Sequence, residues 1–176
     1  GWRHLYFIYP SIIMIALYGL HYLDALIKNY KIKKLLYIVV TLNLIYLSFW
    51  NYKFHPFQNV YFNHLIKDKV HGNFDLDYWG LSNRSAMEHI IKNNVNYPIK
   101  IGTISFSSLE TSLSILNDED KSKILITHNL DNADFLITNY RKKMGENFKI
   151  DKGKYEKYHE ILVDKIPINT IYRKVD

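Results

Sequence analysis

Two carboxylates one residue apart, Asp75 and Asp77, stand in the run Asn73-Phe-Asp-Leu-Asp-Tyr-Trp-Gly-Leu-Ser82. On an extended strand residues i and i+2 share a face, so the pair could serve as acid and base or hold sugar hydroxyls. The plainer role is structural, a solvated strand edge or a cap for a helix before Leu81, and residue type alone favours it. Tyr78 and Trp79 follow directly. Their rings could stack on a sugar, although aromatics of this kind more often act as interfacial anchors or core. At the other end of the chain, Gly1-Trp-Arg-His-Leu-Tyr-Phe-Ile-Tyr-Pro10 sets Arg3 and His4 at the mouth of an apolar segment. A guanidinium offers a planar fork of donors that fits phosphate, and at headgroup depth it could hold a lipid phosphate. Spacing alone favours a simpler use, an Arg that snorkels and anchors a helix end.

Other chemistries find little support. The chain has no cysteine, so a disulfide scaffold and a thiolate metal site are excluded. It has no Gly-rich phosphate loop, no G-x-S-x-G elbow and no H-E-x-x-H. His159-Glu160 lacks a second His, and Asn117–Asp120 lacks the glycine and final Glu of a calcium loop. His55, His64 and His71 are not at a metal-binding spacing. Nothing calls for a cofactor. Asn83-Arg84-Ser85 matches a glycosylation sequon, a motif short enough to arise by chance.

The elements that must position these residues fall into two unlike parts. Leu5–Leu23 and Leu35–Tyr52 are free of Asp, Glu, Lys and Arg. Each comes close to the ~20 residues needed to cross ~30 Å of hydrocarbon. Tyr and Trp crowd their ends, as in the aromatic belts of membrane helices. A buried helical hairpin in a soluble protein is the alternative. Residues 1–50 carry a net charge of +4 and residues 51–176 only +2, so the basic balance points to no nucleic-acid partner. It reflects one tract, Lys28-Asn-Tyr-Lys-Ile-Lys-Lys34, read as a loop between two spans. The positive-inside rule puts that loop in the cytoplasm. The bilayer is then a partner, and everything after Asn51 is extracytoplasmic.

The expected fold class is therefore a membrane α-helical hairpin, residues 1–52, followed by a small α/β domain with a parallel or mixed sheet, residues 83–176. Between them residues 53–82 form an aromatic junction; Asn51–Ser82 holds eight aromatics in 32 residues. Within the soluble part, Pro56–Ile66 reads as a short amphipathic helix. Leu81–Ile91 reads as a second helix, capped by Ser82 or Asn83. Ile99–Phe106, Ile124–Thr127 and Phe135–Tyr140 read as strands, and Ser107–Leu116 as a helix. Asn117–Ser122 reads as a polar loop and Lys142–Lys157 as a mobile one. His159–Lys165 and Ile168–Lys174 make a terminal hairpin turning near Pro167.

Taken together, Gly1–Pro10, His55-Pro-Phe-Gln-Asn-Val-Tyr-Phe-Asn63 and Phe74-Asp-Leu-Asp-Tyr-Trp-Gly-Leu-Ser82 resemble the C-terminal portion of bacterial polytopic glycosyltransferases. These belong to the family 39-like GT-C group, related to dolichyl-phosphate-mannose protein mannosyltransferases. The resemblance covers the whole chain in order. It implies a multi-pass inner-membrane enzyme that passes a sugar from a polyprenyl-phosphate donor to an extracytoplasmic acceptor. It also implies that this chain is a C-terminal fragment, inactive alone, partnered by the missing N-terminal transmembrane helices. The family's catalytic carboxylate lies in an early outer loop outside this sequence, so no catalytic residue is carried over. Arg3 and His4 become candidates for donor-phosphate contact. His55, Gln58, Asp75, Asp77, Tyr78 and Trp79 become candidates for lining the outer wall of the site. The alternative is a non-enzymatic, membrane-anchored module that binds sugars or a partner.

Overall fold

In the computed structural model, which describes residues 7–63, 65–66, 69–70, 73–141 and 150–175, the first apolar run gives helix α1 (Tyr9–Leu26) and the second gives α2 (Tyr30–Lys53). Pro10 stands in the first turn of α1, where its missing N–H is no loss. The connector is only residues 27–29, shorter than the expected Lys28–Lys34 loop. Asn29 explains the early start of α2: its side chain accepts from the Lys31 N–H at 2.9 Å and caps the helix. Lys31, Lys33 and Lys34 thus belong to its first turns. Asp24 of α1 pairs with Lys33 at 3.1 Å and accepts from the Tyr37 hydroxyl at 2.9 Å.

Among the described residues α2 alone is long and apolar enough to cross a membrane, with 24 residues and a mean hydropathy of 1.6. At 1.5 Å per residue it reaches about 36 Å, beyond the hydrocarbon thickness. Helix α1 ends in His21-Tyr-Leu-Asp24-Ala-Leu26, which dilutes its apolar character. A second span would also draw on Leu5 and Tyr6, outside the described residues.

Residues 54–176 form a unit separate from residues 1–53. The aromatic junction therefore folds with the α/β part, because Val60, Val70, Leu76, Asp77 and Ser82 are buried in it. The expected helix over Pro56–Ile66 is only a three-residue 3₁₀ turn, Gln58–Val60. Asparagines compete with helix there: Asn63 accepts from the Leu65 N–H at 3.1 Å, and Asn59 donates to the Leu76 carbonyl at 3.2 Å.

Helix α3 (Leu81–Lys92) is followed by β1 (Ile99–Thr103), α4 (Leu109–Ser114), α5 (Asp118–Ser122), β2 (Ile124–Ile126), β3 (Phe135–Thr138), β4 (Tyr155–Val163) and β5 (Ile166–Lys174). The five strands make one mixed sheet in the order β2-β1-β3-β5-β4. β2, β1 and β3 are parallel, and β5 and β4 add antiparallel strands at the β3 side. Ala86, Met87, Ile90 and Ile91, at helical spacing on α3, pack with Ile99, Ile101, Ile124, Phe135, Ile137 and Ile171 from four strands. A smaller cluster of Ala133, Leu136 and Tyr155 draws on side chains of alternate parity along β3, hence on its opposite face.

Two expected loops differ. Asn117–Ser122 contains α5, capped by Asn117, whose side chain accepts from the Asp120 N–H at 2.7 Å. The terminal hairpin turns at Asp164 and Lys165, both at positive φ (48° and 71°). Pro167 instead lies within β5, opposite Leu162 at a register shift. Of the expected mobile loop, residues 142–149 lie outside the described residues, and its last three residues open β4.

Candidate functional site at the ends of β1 and β3

The parallel strands end in a sudden change of chemistry. β1 runs into Ile104-Ser-Phe-Ser107, and β3 into Asn139-Tyr-Arg141. From β1 the chain crosses to β2 on one side of the sheet; from β3 it leaves for β4 and β5 on the other. The carboxyl ends of β1 and β3 are thus a topological switch point, the place where open α/β sheets bind ligands. The stretch before α3 meets these loops.

Asp77 organises that stretch. It is 1% exposed. Its Oδ1 accepts from the Leu81 N–H and its Oδ2 from the Ser82 N–H, both at 2.9 Å, and Oδ2 also accepts from the Ser82 hydroxyl. These are the first free N–H groups of α3, where a carboxylate also complements the helix dipole. Ser82 and Asn83 are therefore inside the helix and do not cap it. Gly80 occupies the N-cap position at φ 72° with no side-chain cap. A Cβ at Gly80 would sit 2.9 Å from Asn83 Nδ2, so both conformation and space call for glycine.

Behind Asp77 lies a buried polar network. Asn139 donates its side-chain N–H to the Asp77 carbonyl at 2.8 Å and accepts from the Ser107 hydroxyl at 3.0 Å. Ser107 in turn accepts from Asn83 at 3.1 Å. Asn169 of β5 donates to Ser82 Oγ at 2.9 Å and to Asn83 Oδ1 at 3.0 Å. Its own Oδ1 is buried without a hydrogen-bond partner. Ser105 Oγ accepts from the Asn139 N–H at 2.9 Å and donates to Thr138 at 3.2 Å. The Tyr140 hydroxyl bonds Thr170, and burial pushes its pKa up. Helix α3, both strand ends and β5 are in this way tied into one unit.

The outer layer is different. Trp79 is 66% exposed and Tyr78 44%; their rings meet edge to face at 5.0 Å. The Arg141 guanidinium lies 4.0 Å from the centre of the Tyr78 ring and 5.2 Å from that of Phe106. The Phe106 N–H donates to the Arg141 carbonyl at 2.9 Å, which latches the two loops. No ion pair joins Arg141 to a carboxylate among the described residues.

The predicted site residues thus separate. Asp75 and Asp77 do not share a face: Asp75 is exposed and Asp77 buried, because residues 76–79 form a turn and not a strand. Tyr78 and Trp79 come together at the switch point. His55 and Gln58 pair with each other, the amide donating to Nδ1 at 2.7 Å. Arg3 and His4 lie outside the described residues. Sequence reasoning missed Arg141, Phe106, Ser107 and Asn139. The available signal was an apolar strand breaking into Ser, Thr and Asn, twice, at the ends of parallel strands. Among the described residues no three His, Asp or Glu side chains gather as for a metal ion. The arrangement suits binding through rings and a cation, with Asp77 committed to the helix start. No family model, curated protein or solved structure matches the chain.

Proposed function

We propose that the chain is the C-terminal portion of an integral membrane glycosyltransferase that passes a sugar from a polyprenyl-phosphate donor to an extracytoplasmic acceptor. One observation carries the reading. A helix of spanning length and apolarity, α2, leads directly into an α/β unit whose switch point presents the exposed rings of Tyr78 and Trp79. Aromatic faces are suited to sugar rings, and an enzyme acting on lipid-linked sugars needs such groups beside a membrane anchor. In this reading α1 and α2 are the last two spans, joined at a cytoplasmic lysine-rich turn. Arg3 and His4 contact the donor phosphate. His55, Gln58 and Asp75 line the outer wall with Tyr78 and Trp79, and Asp77 holds that wall in shape. The catalytic base belongs to the missing N-terminal helices and their loops.

The second reading, a membrane-anchored sugar- or partner-binding module without enzymatic activity, draws on a specific observation as well. The one buried carboxylate of the site, Asp77, is consumed by three donors of α3. The full-length protein, given a labelled polyprenyl-phosphate sugar and membranes as acceptor source, separates the two. Transfer that falls on Arg3→Ala supports the enzyme. Sugar binding without transfer supports the module and removes the first reading.

A further inference from the structure

We propose that Arg141 is a preformed phosphate anchor, and that the switch point between β1 and β3 binds a phosphate ester alongside Trp79. This inference concerns a ligand and a residue and does not rest on the transfer reaction.

Four observations converge on it. First, the fold directs ligands to this place, because the chain diverges here after β1 and β3. Second, the buried polar groups behind the strand ends already pair with one another in the Asp77–Asn83–Ser107–Asn139 network, so the groups left for a ligand are those of the outer layer. Third, the start of α3, whose free N–H groups would otherwise suit an anion, is occupied by the Asp77 carboxylate. A phosphate would meet repulsion there and needs a separate cation. Fourth, Arg141 is that cation. It is partly buried, seated over the Tyr78 ring at 4.0 Å and 5.2 Å from the Phe106 ring centre, and joined to no carboxylate among the described residues. Its backbone is fixed on both sides: its carbonyl accepts from Phe106, and its N–H donates to Asn139 Oδ1 at 3.3 Å.

A guanidinium held over rings spends none of its five N–H donors on a carboxylate and keeps them for an oxyanion. The rings also restrict the side chain before binding, so less rotamer freedom is lost on forming the contact. A salt-bridged arginine would have its fork already filled. Trp79, edge-on to Tyr78 at 5.0 Å and largely exposed, adds an apolar face to the ring that carries the cation. A cation beside an apolar face fits a phosphate that carries a sugar or a glyceryl group. Two sources supply that chemistry, a sugar phosphate and an anionic phospholipid headgroup.

The test uses the whole chain in a non-ionic detergent and isothermal titration calorimetry. The probes are glucose 1-phosphate and mannose 1-phosphate against the free hexoses, and dihexanoyl phosphatidylglycerol against its phosphatidylcholine counterpart. Expected is binding of at least one of the anionic phosphate esters, with the free hexoses weaker by about tenfold or more, as loss of one charge-assisted contact implies, and with the zwitterionic lipid weaker because its choline cation opposes the approach to Arg141. Arg141→Gln should abolish the preference. Arg141→Lys keeps the charge but loses the planar fork, and should weaken binding by about tenfold. Melting temperatures of both variants should match the wild type, which separates lost binding from lost folding. Binding confined to the sugar phosphates identifies the source as a soluble or lipid-linked sugar; binding confined to phosphatidylglycerol identifies the bilayer surface. The proposal is overturned if no phosphate ester binds, or if Arg141→Gln melts like the wild type and binds equally well.

Discussion

Asp77, a buried carboxylate that accepts from two backbone N–H groups and a hydroxyl, leaves three orphan donors when it is truncated, and hydrogen bonds to charged groups weigh more than neutral ones. Asp77→Ala is expected to cost about 3 kcal/mol of stability, measured by denaturant unfolding of the chain in detergent. A loss below about 0.5 kcal/mol would return Asp77 to the pool of chemical residues. The neighbouring Gly80→Ala should cost about 1–2 kcal/mol, since φ is 72° and the new methyl meets Asn83. Both residues were visible in the sequence as an Asp and a Gly before an apolar helix. The helix-cap role that residue type favoured for the aspartate pair holds for Asp77, although it lies three residues ahead of the N-cap position and reaches forward across a turn, so residue type alone could not say which of the two carboxylates caps. The i, i+2 argument for Asp75 and Asp77 failed because it presupposed a strand where the chain turns.

Elements were legible where a local pattern decides them and illegible where competition or distant partners do. Ala86, Met87, Ile90 and Ile91 announce α3 by spacing, and the apolar runs at Ile99, Ile124 and Phe135 announce strands. Their order in the sheet, with β1 between β2 and β3, is a non-local fact that no window contains. Pro56–Ile66 has helical apolar spacing, yet Asn59 and Asn63 divert its backbone. The terminal hairpin was legible as a pair of strands but not at its turn, because Pro167 is a stronger signal than Asp164-Lys165. That turn has two central residues at positive φ, as in a type I′ turn, which favours Asp-Gly. Lys165→Gly should therefore stabilise the hairpin by about 1 kcal/mol, seen as a higher unfolding midpoint; a lower midpoint would mean the lysine side chain matters to packing. The contact of α3 with β4 carries a pH dependence. His89 stacks on His159 at 3.7 Å, and its pKa is lowered, first by burial, then by His159 and Lys92; Tyr158 faces it as well. A histidine with a depressed folded pKa takes up protons more readily when unfolded, so its contribution is present above the unfolded value of about 6.5 and lost as pH falls through the folded one. The wild type should lose melting temperature between about pH 7 and pH 5 more steeply than His89→Gln. Parallel pH profiles would show that the stack does not govern acid stability.

At the scale of the whole molecule the proposed membrane reading assigns the α/β unit to one side of the bilayer. The argument is electrostatic. The basic residues of the first 50 positions concentrate in Lys28, Lys31, Lys33 and Lys34, beside the start of the spanning-length α2, and lysine-rich segments next to spans remain in the cytoplasm. Asp24 pairs with Lys33 and so offsets part of that charge, but acidic residues count for little in the rule. Lys53 at the far end of α2 is the sole basic residue of its last turn, too little to reverse the bias. If the reading is right, Lys28 is cytoplasmic and the unit beginning at Phe54 is extracytoplasmic. The chain contains no cysteine, so one introduced thiol reports its own location. Lys28→Cys and Asp118→Cys are suited to this, since Lys28 is exposed and the Asp118 side chain is 99% exposed in the α/β unit. In intact spheroplasts a membrane-impermeant maleimide should label the thiol at 118 and spare the one at 28; detergent lysis should make both react. The opposite pattern would place the α/β unit in the cytoplasm and remove it from any reaction on extracytoplasmic acceptors. Labelling at both positions before lysis would mean that α2 does not cross the bilayer. A further variant, with the four lysines replaced by glutamine, tests the cause and not only the outcome: the orientation bias should become mixed if those charges set it, and persist if other parts of the protein do.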